Sequence, residues 1–145
     1  MARPHYVTTP IYYVNDRPHI GHAYSTVAAD VVSRYQALRG KPTYFLTGLD
    51  EHGLKIERRA KEMDLAPQDF VDQMAAPFRD AWEELDCAHD GFIRTTSMQH
   101  RERVQALWRQ MQAKGDIYLD DYEDWYCVGC ESFKTEKELL EGKLC

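Results

Sequence analysis

The sequence predicts an α/β fold that begins as a doubly wound parallel sheet. A run of aromatic and β-branched residues at 5–9 is followed by a helix-forming stretch at about 21–39 and by a nearly continuous apolar or β-branched run at 43–47. Such a continuous run suits a strand that is buried on both faces of a parallel sheet. A strand, a helix and a second strand within residues 5–47 form a βαβ unit, whose two strands are parallel.

The first helices follow from spacing and from end signals. Gly40 is a natural C-terminal cap for the first helix. Further helices are expected at 54–63 and from Pro67 onward, the latter kinked or broken at Pro77. The apolar face that predicts the first helix consists of Val27, Val31, Tyr35 and Leu38.

The second half of the chain divides into two parts at Gly115. Residues 116–126 are acidic, aromatic and partly alternating, which predicts a hairpin with its turn at or near Asp120 and Asp121. We therefore predict a first domain at 1–115 and the start of a second module at 116–145. Before the boundary, a short extended piece at 91–95 leads into a helix that is expected to bury Val104, Leu107, Trp108 and Met111.

Three cysteines near the C-terminus have the spacing of a zinc ribbon. Cys127 and Cys130 enclose Val128 and Gly129, and Cys145 follows further along the chain. Structural zinc takes four ligands, so the fourth is expected just past Cys145. A redox pair should open a helix beside a strand, whereas this pair follows a predicted hairpin, so zinc is favoured. Reduced cysteines without a metal are the remaining alternative.

The overall charge and hydropathy exclude some classes of function. A net charge of −6 argues against a surface that binds nucleic acid mainly through bulk positive charge. No apolar run has the length needed to cross a membrane. The first residues lack the apolar core of a secretory signal, so we expect a cytoplasmic protein.

The segment His19-Ile20-Gly21-His22 lies where the first strand region gives way to the first long helix. The amide groups and the dipole of a helix N-terminus form a site for phosphate. Gly21 has no Cβ, so a flat ring or a phosphate can approach the backbone closely. His19 and His22 can donate hydrogen bonds to the charge that builds up on a triphosphate during displacement.

Other candidate side chains lie near the carboxyl ends of the predicted strands, where ligands of such sheets bind. Asp50 follows the second strand and either pairs with an ammonium group or caps the next helix. Ile11, Tyr12 and Tyr13 offer apolar and aromatic walls for a small-molecule pocket beside the same crevice. Adjacent tyrosines also serve as packing residues, and this alternative stays open.

Six stretches form a pattern that covers nearly the whole chain: TTPIYYVN at 8–15, PHIGHAY at 18–24, FLTGLDEHG at 45–53, FIRT at 92–95, GDIY at 115–118 and YCVGC at 126–130. Together they resemble the class I aminoacyl-tRNA synthetases, and more narrowly the N-terminal part of the methionyl-tRNA synthetase family. The tetrad at 19–22 alone indicates only the class. The lead-in at 8–15 and the loop at 45–53 are more specific to the methionine enzyme.

The resemblance implies a reaction and a fold. Methionine would attack the α-phosphorus of ATP, which enters with Mg²⁺, and the methionyl group would then pass to the 3′ end of tRNA(Met). The chain would hold the first half of a Rossmann-like nucleotide-binding domain. His19 and His22 would be catalytic residues that bind the triphosphate, and Gly21 would let adenine lie against the start of the helix.

The resemblance also implies a substrate pocket and a metal site. Ile11 and Tyr13 would line the methionine pocket, and Asp50 would bind the substrate ammonium group. A zinc knuckle would stand at the start of a connective insertion, with a fourth ligand beyond the end of this chain and with three ligands within it: Cys127, Cys130 and Cys145.

One departure from the family pattern is large. The second signature of the family, Lys-Met-Ser-Lys-Ser, is absent from the sequence. We therefore expect a fragment that cannot form methionyl-adenylate at an enzymatic rate by itself, and whose open sheet edge makes it unstable or prone to associate. Two alternatives remain: another class I adenylate-forming synthetase, and a non-catalytic zinc-ribbon module that binds tRNA or protein. The oligomeric state is not predicted.

Overall fold

The computed structural model describes residues 3–140 together with Gly142 and Leu144. The chain forms two compact units, Met1–Ala106 and Leu107–Cys145. The elements in order are β1 (His5–Thr8), β2 (Tyr12–Tyr13), α1 (Ile20–Leu38), β3 (Thr43–Asp50), α2 (Leu54–Glu62), α3 (Pro67–Glu84), β4 (Gly91–Arg94), α4 (Met98–Lys114), β5 (Trp125–Cys127), β6 (Ser132–Lys134) and a short 3₁₀ turn, Glu136–Glu138. The domain boundary at Gly115 stays a prediction.

The first unit is built on a parallel sheet with β3 at its centre. β1 pairs with residues 43–46 of β3, β2 pairs with 49–50, and β4 pairs with 46–49, all in parallel. A strand has two edges, so β1 and β2 follow one another along one edge of β3 while β4 takes the other. The predicted βαβ unit is confirmed by this pairing of β1, α1 and β3.

The two strands β3 and β4 approach each other closely at Gly48. A Cβ added to Gly48 would lie 2.2 Å from the backbone oxygen of Ile93 and 2.3 Å from its Cγ2 atom. No side chain fits in that space without a backbone shift. Gly48 therefore lets the carboxyl end of β3, which carries Asp50, lie directly against β4.

Helices α2 and α3 pack against each other and share a buried core with β2 and β3, whereas α1 lies against β1 and β3. Phe70, Phe78 and Trp82 of α3 are almost wholly buried and pack with Leu49 of β3. A kink or a break was predicted at Pro77; α3 runs without interruption through this residue, so a break is wrong and a kink stays a prediction. The buried side chains of α3 therefore pack against the carboxyl end of β3.

The apolar face that predicted α1 is exposed, contrary to the usual expectation for such a face. Its residues are 39% to 88% accessible, whereas the buried residues of α1 are small or polar: Thr26, Ala29, Asp30 and Ser33. The inward polar side is stabilised by hydrogen bonds, because Asp30 accepts one from the amide of Ala88 (2.9 Å) and one from Arg34 Nε (2.6 Å). The expected burial by α4 is also wrong, since Val104, Leu107, Trp108 and Met111 are all exposed.

The second unit contains one antiparallel hairpin, and its position corrects the sequence prediction. β5 and β6 pair from Trp125↔Lys134 to Cys127↔Ser132, whereas residues 116–124 form no strand. Asp120 and Asp124 each accept a hydrogen bond from the next backbone amide. Such local bonds compete with a strand ladder, which explains why the acidic run is irregular. Within the described part of the chain, no helix combines the length and apolar character that a membrane crossing requires.

Candidate active site

A crevice of about 350 Å³ opens between the loop after β1 and the start of α1. It brings together four of the residues predicted from sequence, namely Ile11 and Tyr13 with His19 and His22. The remaining lining residues are Tyr12, Asn15, Asp16 and Arg17. Apolar walls and a few convergent polar groups are typical of a small-molecule site.

The two histidines form the N-terminal cap of α1. His19 is the N-cap residue, and its Nδ1 accepts the amide hydrogen of Gly21 at 3.0 Å. His22 Nδ1 accepts the amide hydrogen of His19 at 3.2 Å, and the two rings stack with centroids 3.8 Å apart. A ring nitrogen that accepts a hydrogen bond carries no proton, so each neutral ring bears its proton on Nε2.

The charge state of His22 supports the same assignment. Burial, and secondly the neighbouring His19, lower the pKa of His22 below the ordinary value of 6.5. His22 is therefore a neutral imidazole at pH 7, with Nε2–H as its donor. No residue that the structure describes forms a hydrogen bond to Nε2 of either ring, so both donors remain for a ligand in the crevice.

Tyr12 packs against the ring of His22 and is itself fixed by hydrogen bonds to α1. Its ring centroid lies 4.8 Å from that of His22, and its hydroxyl group shares hydrogen bonds with Ser25 Oγ (2.8 Å) and Thr26 Oγ1 (2.9 Å). Tyr12 is buried, whereas Tyr13 is 46% exposed, because successive residues of β2 point to opposite faces. Of the two adjacent tyrosines, Tyr12 is thus a buried packing residue that also contributes to the lining, and Tyr13 is an exposed residue of the lining.

Asp50 lies next to the crevice rather than in its lining. It is the parallel partner of Tyr13 in the sheet, so the two side chains project from the same face at neighbouring positions. The alternative that Asp50 caps the next helix is wrong, since α2 has Gly53 as its N-cap residue and no side-chain cap. The carboxylate is half-buried and stands where it can meet a ligand that lies along Tyr13.

Sequence reasoning missed a second polar unit beside Asp50. The side chain of Glu51 is fully buried, and its Oε1 atom lies 2.6 Å from Arg94 Nε. The sequence contained a signal for this pair, because an acidic and a basic residue stand at the carboxyl ends of neighbouring strands. Both lie within the stretches 45–53 and 92–95 of the family pattern.

The cysteines of the predicted zinc site are only partly described. Cys127 ends β5, Cys130 lies in the turn between β5 and β6, and the amide of Cys130 donates to Cys127 Sγ at 3.4 Å. Cys145 lies outside the described residues. Among the residues that are described, no group of three or more metal-binding side chains comes together. The zinc site therefore stays a prediction.

Comparison with known families defines the class of this protein. The family model described as "tRNA synthetases class I (M)" matches residues 5–145, and the chain belongs to this family. The resemblance inferred from sequence and the α/β fold class are both confirmed.

Two similar proteins are methionine–tRNA ligases. The chain is 48% identical over 143 residues to the methionine–tRNA ligase of Caldanaerobacter subterraneus subsp. tengcongensis, covering 99% of this chain and 22% of that protein. It is 50% identical to the methionine–tRNA ligase of Thermosynechococcus vestitus, covering 98% and 27%. The chain thus spans about a quarter of the length of these relatives.

Solved structures give the same result. The Mycobacterium tuberculosis methionyl-tRNA synthetase in complex with methionyl-adenylate matches with a TM-score of 0.90 and 43% identity, over 98% of this chain and 28% of that one. The leucyl enzyme of Agrobacterium radiobacter K84 in a ternary complex with tRNA has a TM-score of 0.80 at 22% identity, a likeness in fold alone.

Proposed function

We propose that this chain forms the first part of the catalytic domain of a methionine–tRNA ligase, which joins methionine to ATP as methionyl-adenylate and then transfers it to tRNA(Met). The observation that carries the proposal is the crevice itself. It gathers two Nε2–H donors, an aromatic and an aliphatic wall, and a carboxylate one strand away. The 48% identity to a methionine–tRNA ligase, over 99% of the chain, supports methionine as the amino acid.

Each residue of the crevice has a role that its chemistry suits. Nε2–H of His19 and of His22 donates to the triphosphate as negative charge moves toward the leaving pyrophosphate, which lowers the barrier. The amide groups at the start of α1 and the small Gly21 let the nucleotide lie against the helix. ATP enters with Mg²⁺, which neutralises part of the phosphate charge.

The amino acid is held by a negative charge and by apolar contacts, whereas the triphosphate is held by hydrogen-bond donors. Asp50 supplies a negative charge for the ammonium group, and Tyr13 and Ile11 contact the side chain. A thioether packs favourably against an aromatic ring, which suits methionine. With the ammonium group at Asp50, we infer that the substrate carboxylate faces the histidines and the α-phosphorus of ATP.

We further propose a structural zinc ion on Cys127, Cys130 and Cys145, with a fourth ligand from elsewhere in the protein. Two sulfur atoms at one hairpin turn, one of which receives a backbone N–H, suit a thiolate–zinc knuckle. Zinc would hold the turn in shape and takes no part in the reaction.

The test is methionine-dependent ATP–pyrophosphate exchange by the full-length protein that contains this chain. We expect exchange with methionine and loss of exchange on changing Asp50→Ala, with Asp69→Ala on the surface of α3 as the matched control. Exchange only with another amino acid would favour a different class I synthetase. Binding of tRNA without any exchange would favour the non-catalytic zinc-ribbon module.

A further inference from the structure

A buried ion pair ties the loop after β3 to the end of β4. The side chain of Glu51 is 0% exposed and that of Arg94 is 20% exposed. Arg94 Nε donates to Glu51 Oε1 at 2.6 Å, while its second terminal nitrogen donates to Asp72 Oδ1 on α3, also at 2.6 Å. A buried carboxylate without such partners would be strongly destabilising, so the pair acts as a unit.

The other oxygen of Glu51 is also fixed. Oε2 accepts hydrogen bonds from the hydroxyl group of Thr96 at 2.5 Å and from its amide at 3.3 Å. Burial opposes the charge of Arg94, but the hydrogen bonds that Arg94 donates to Glu51 and Asp72 outweigh it and raise the pKa of Arg94. The guanidinium stays charged, and the Glu51 carboxylate is held on both sides in one orientation.

The backbone on either side of Asp50 is bound to the same threonine. The amide of Thr95 donates to the carbonyl of Leu49 at 3.4 Å, and the amide of Glu51 donates to Thr95 Oγ1 at 2.9 Å. Tyr13 pairs with Asp50 from the opposite edge of β3. The backbone at Asp50 is therefore held from both edges of β3. The ion pair of Glu51, the next residue, fixes the direction in which the chain leaves the strand.

We propose that Glu51 and Arg94 are positioning residues, which hold the Asp50 carboxylate where it meets the ammonium group of the amino-acid substrate. This inference rests on the proposed function. Neither residue touches the substrate; both act through the backbone at residues 49–51. A group that binds substrate must be held within about 0.5 Å of its productive position by the residues that pack around it. The Glu51–Arg94 pair does this for Asp50, because it fixes the residue that directly follows Asp50 in the chain.

The experiment compares methionine with 4-(methylthio)butanoate, which is methionine without its amino group. In the full-length protein, Glu51→Gln, Arg94→Lys and Thr96→Val each weaken the clamp. We expect the KM for methionine in pyrophosphate exchange to rise about 10- to 100-fold for Glu51→Gln and Arg94→Lys, and less for Thr96→Val. The inhibition constant of the butanoate and the KM for ATP should stay unchanged, because neither depends on an ammonium contact.

A matched control comes from an exposed ion pair of the same types. Arg59 and Glu62 lie 2.8 Å apart on α2, with side chains 48% and 62% exposed. Glu62→Gln should leave all three constants unchanged, since exposed pairs contribute little. Melting temperatures, measured for all variants, separate loss of fold from loss of position.

Three results would overturn the inference. A wild-type KM for methionine in Glu51→Gln or Arg94→Lys would do so, and so would equal weakening of methionine and of the butanoate. If Glu51→Gln fails to fold, the same two criteria apply to Arg94→Lys, which keeps the positive charge, and to Thr96→Val. A wild-type protein without methionine-dependent exchange would instead overturn the proposed function, and this inference with it.

Discussion

Two replacements of His19 separate the role of its two ring nitrogens. In the structure Nδ1 caps α1 through the amide of Gly21 at 3.0 Å, while Nε2 is the donor that we propose for the triphosphate. Asparagine places an oxygen near the Nδ1 position and is a preferred N-cap residue. Glutamine carries an amide donor near the Nε2 position but is a poor cap. His19→Asn therefore keeps the cap and loses the donor, and His19→Gln does the reverse.

The size of each effect follows from these contacts. A hydrogen bond to a charged group contributes about 1.5–3 kcal/mol, which corresponds to about 10- to 160-fold in rate. Loss of an N-cap costs about 0.5–2 kcal/mol of stability. Both variants lose the stacking on His22, so the difference between them isolates the cap from the donor.

The assays are kcat for pyrophosphate exchange and thermal unfolding, both on the full-length protein. We expect His19→Asn to be the slower enzyme and the more stable protein of the two. Equal rates in the two variants, or a wild-type rate in His19→Asn, would refute the assignment of Nε2 as the donor. Equal melting temperatures would refute the assignment of Nδ1 as the cap.

Other predictions follow from the site and the sheet. Changing Gly48→Ala forces a Cβ against the backbone of Ile93 and should destabilise the protein by about 3 kcal/mol or more, measured as a lower melting temperature; an unchanged melting temperature would contradict the strand spacing. NMR titration should give His22 a pKa below 6.5, which rises in His19→Asn but stays depressed because burial is the larger cause. Since this pKa is lowered on folding, the stability that neutral His22 contributes is present above pH 6.5 and is lost as the pH falls through the lower folded value; a stability that is flat across this range in wild type would contradict this. Changing Cys127→Ser should remove zinc from the purified full-length protein, as measured by elemental analysis, and equal zinc content in both proteins would exclude that residue as a ligand.

The sequence was sufficient to predict the parallel unit and most of the crevice. Apolar runs at 5–9 and 43–47 around one helix predict parallel strands whose carboxyl ends meet, and Tyr13 beside Asp50 follows from that order. The same reasoning did not separate Tyr12 from Tyr13, because it did not predict the two-residue strand β2, which gives them opposite faces. The roles of these residues in binding and catalysis stay predictions.

Contacts between distant residues explain what the sequence did not predict. The inward face of α1 is set by Asp30 and the amide of Ala88, which are 58 residues apart, and no helical periodicity contains that information. The Glu51–Arg94 pair joins residues 43 apart. The tautomers of the two histidines depend on the backbone geometry of the N-cap, which spacing alone does not give.

The outward apolar side of α1 has a practical consequence for work on this chain alone. Leu38 is 88% exposed and Tyr24 is 79% exposed on a well-formed helix. Fluorescent dyes that report loose, partly folded states do so by adhering to accessible hydrocarbon. Such dyes would bind the exposed apolar side of α1 in the folded protein. Strong dye fluorescence at low temperature would therefore report this side of α1 and not a loss of tertiary structure.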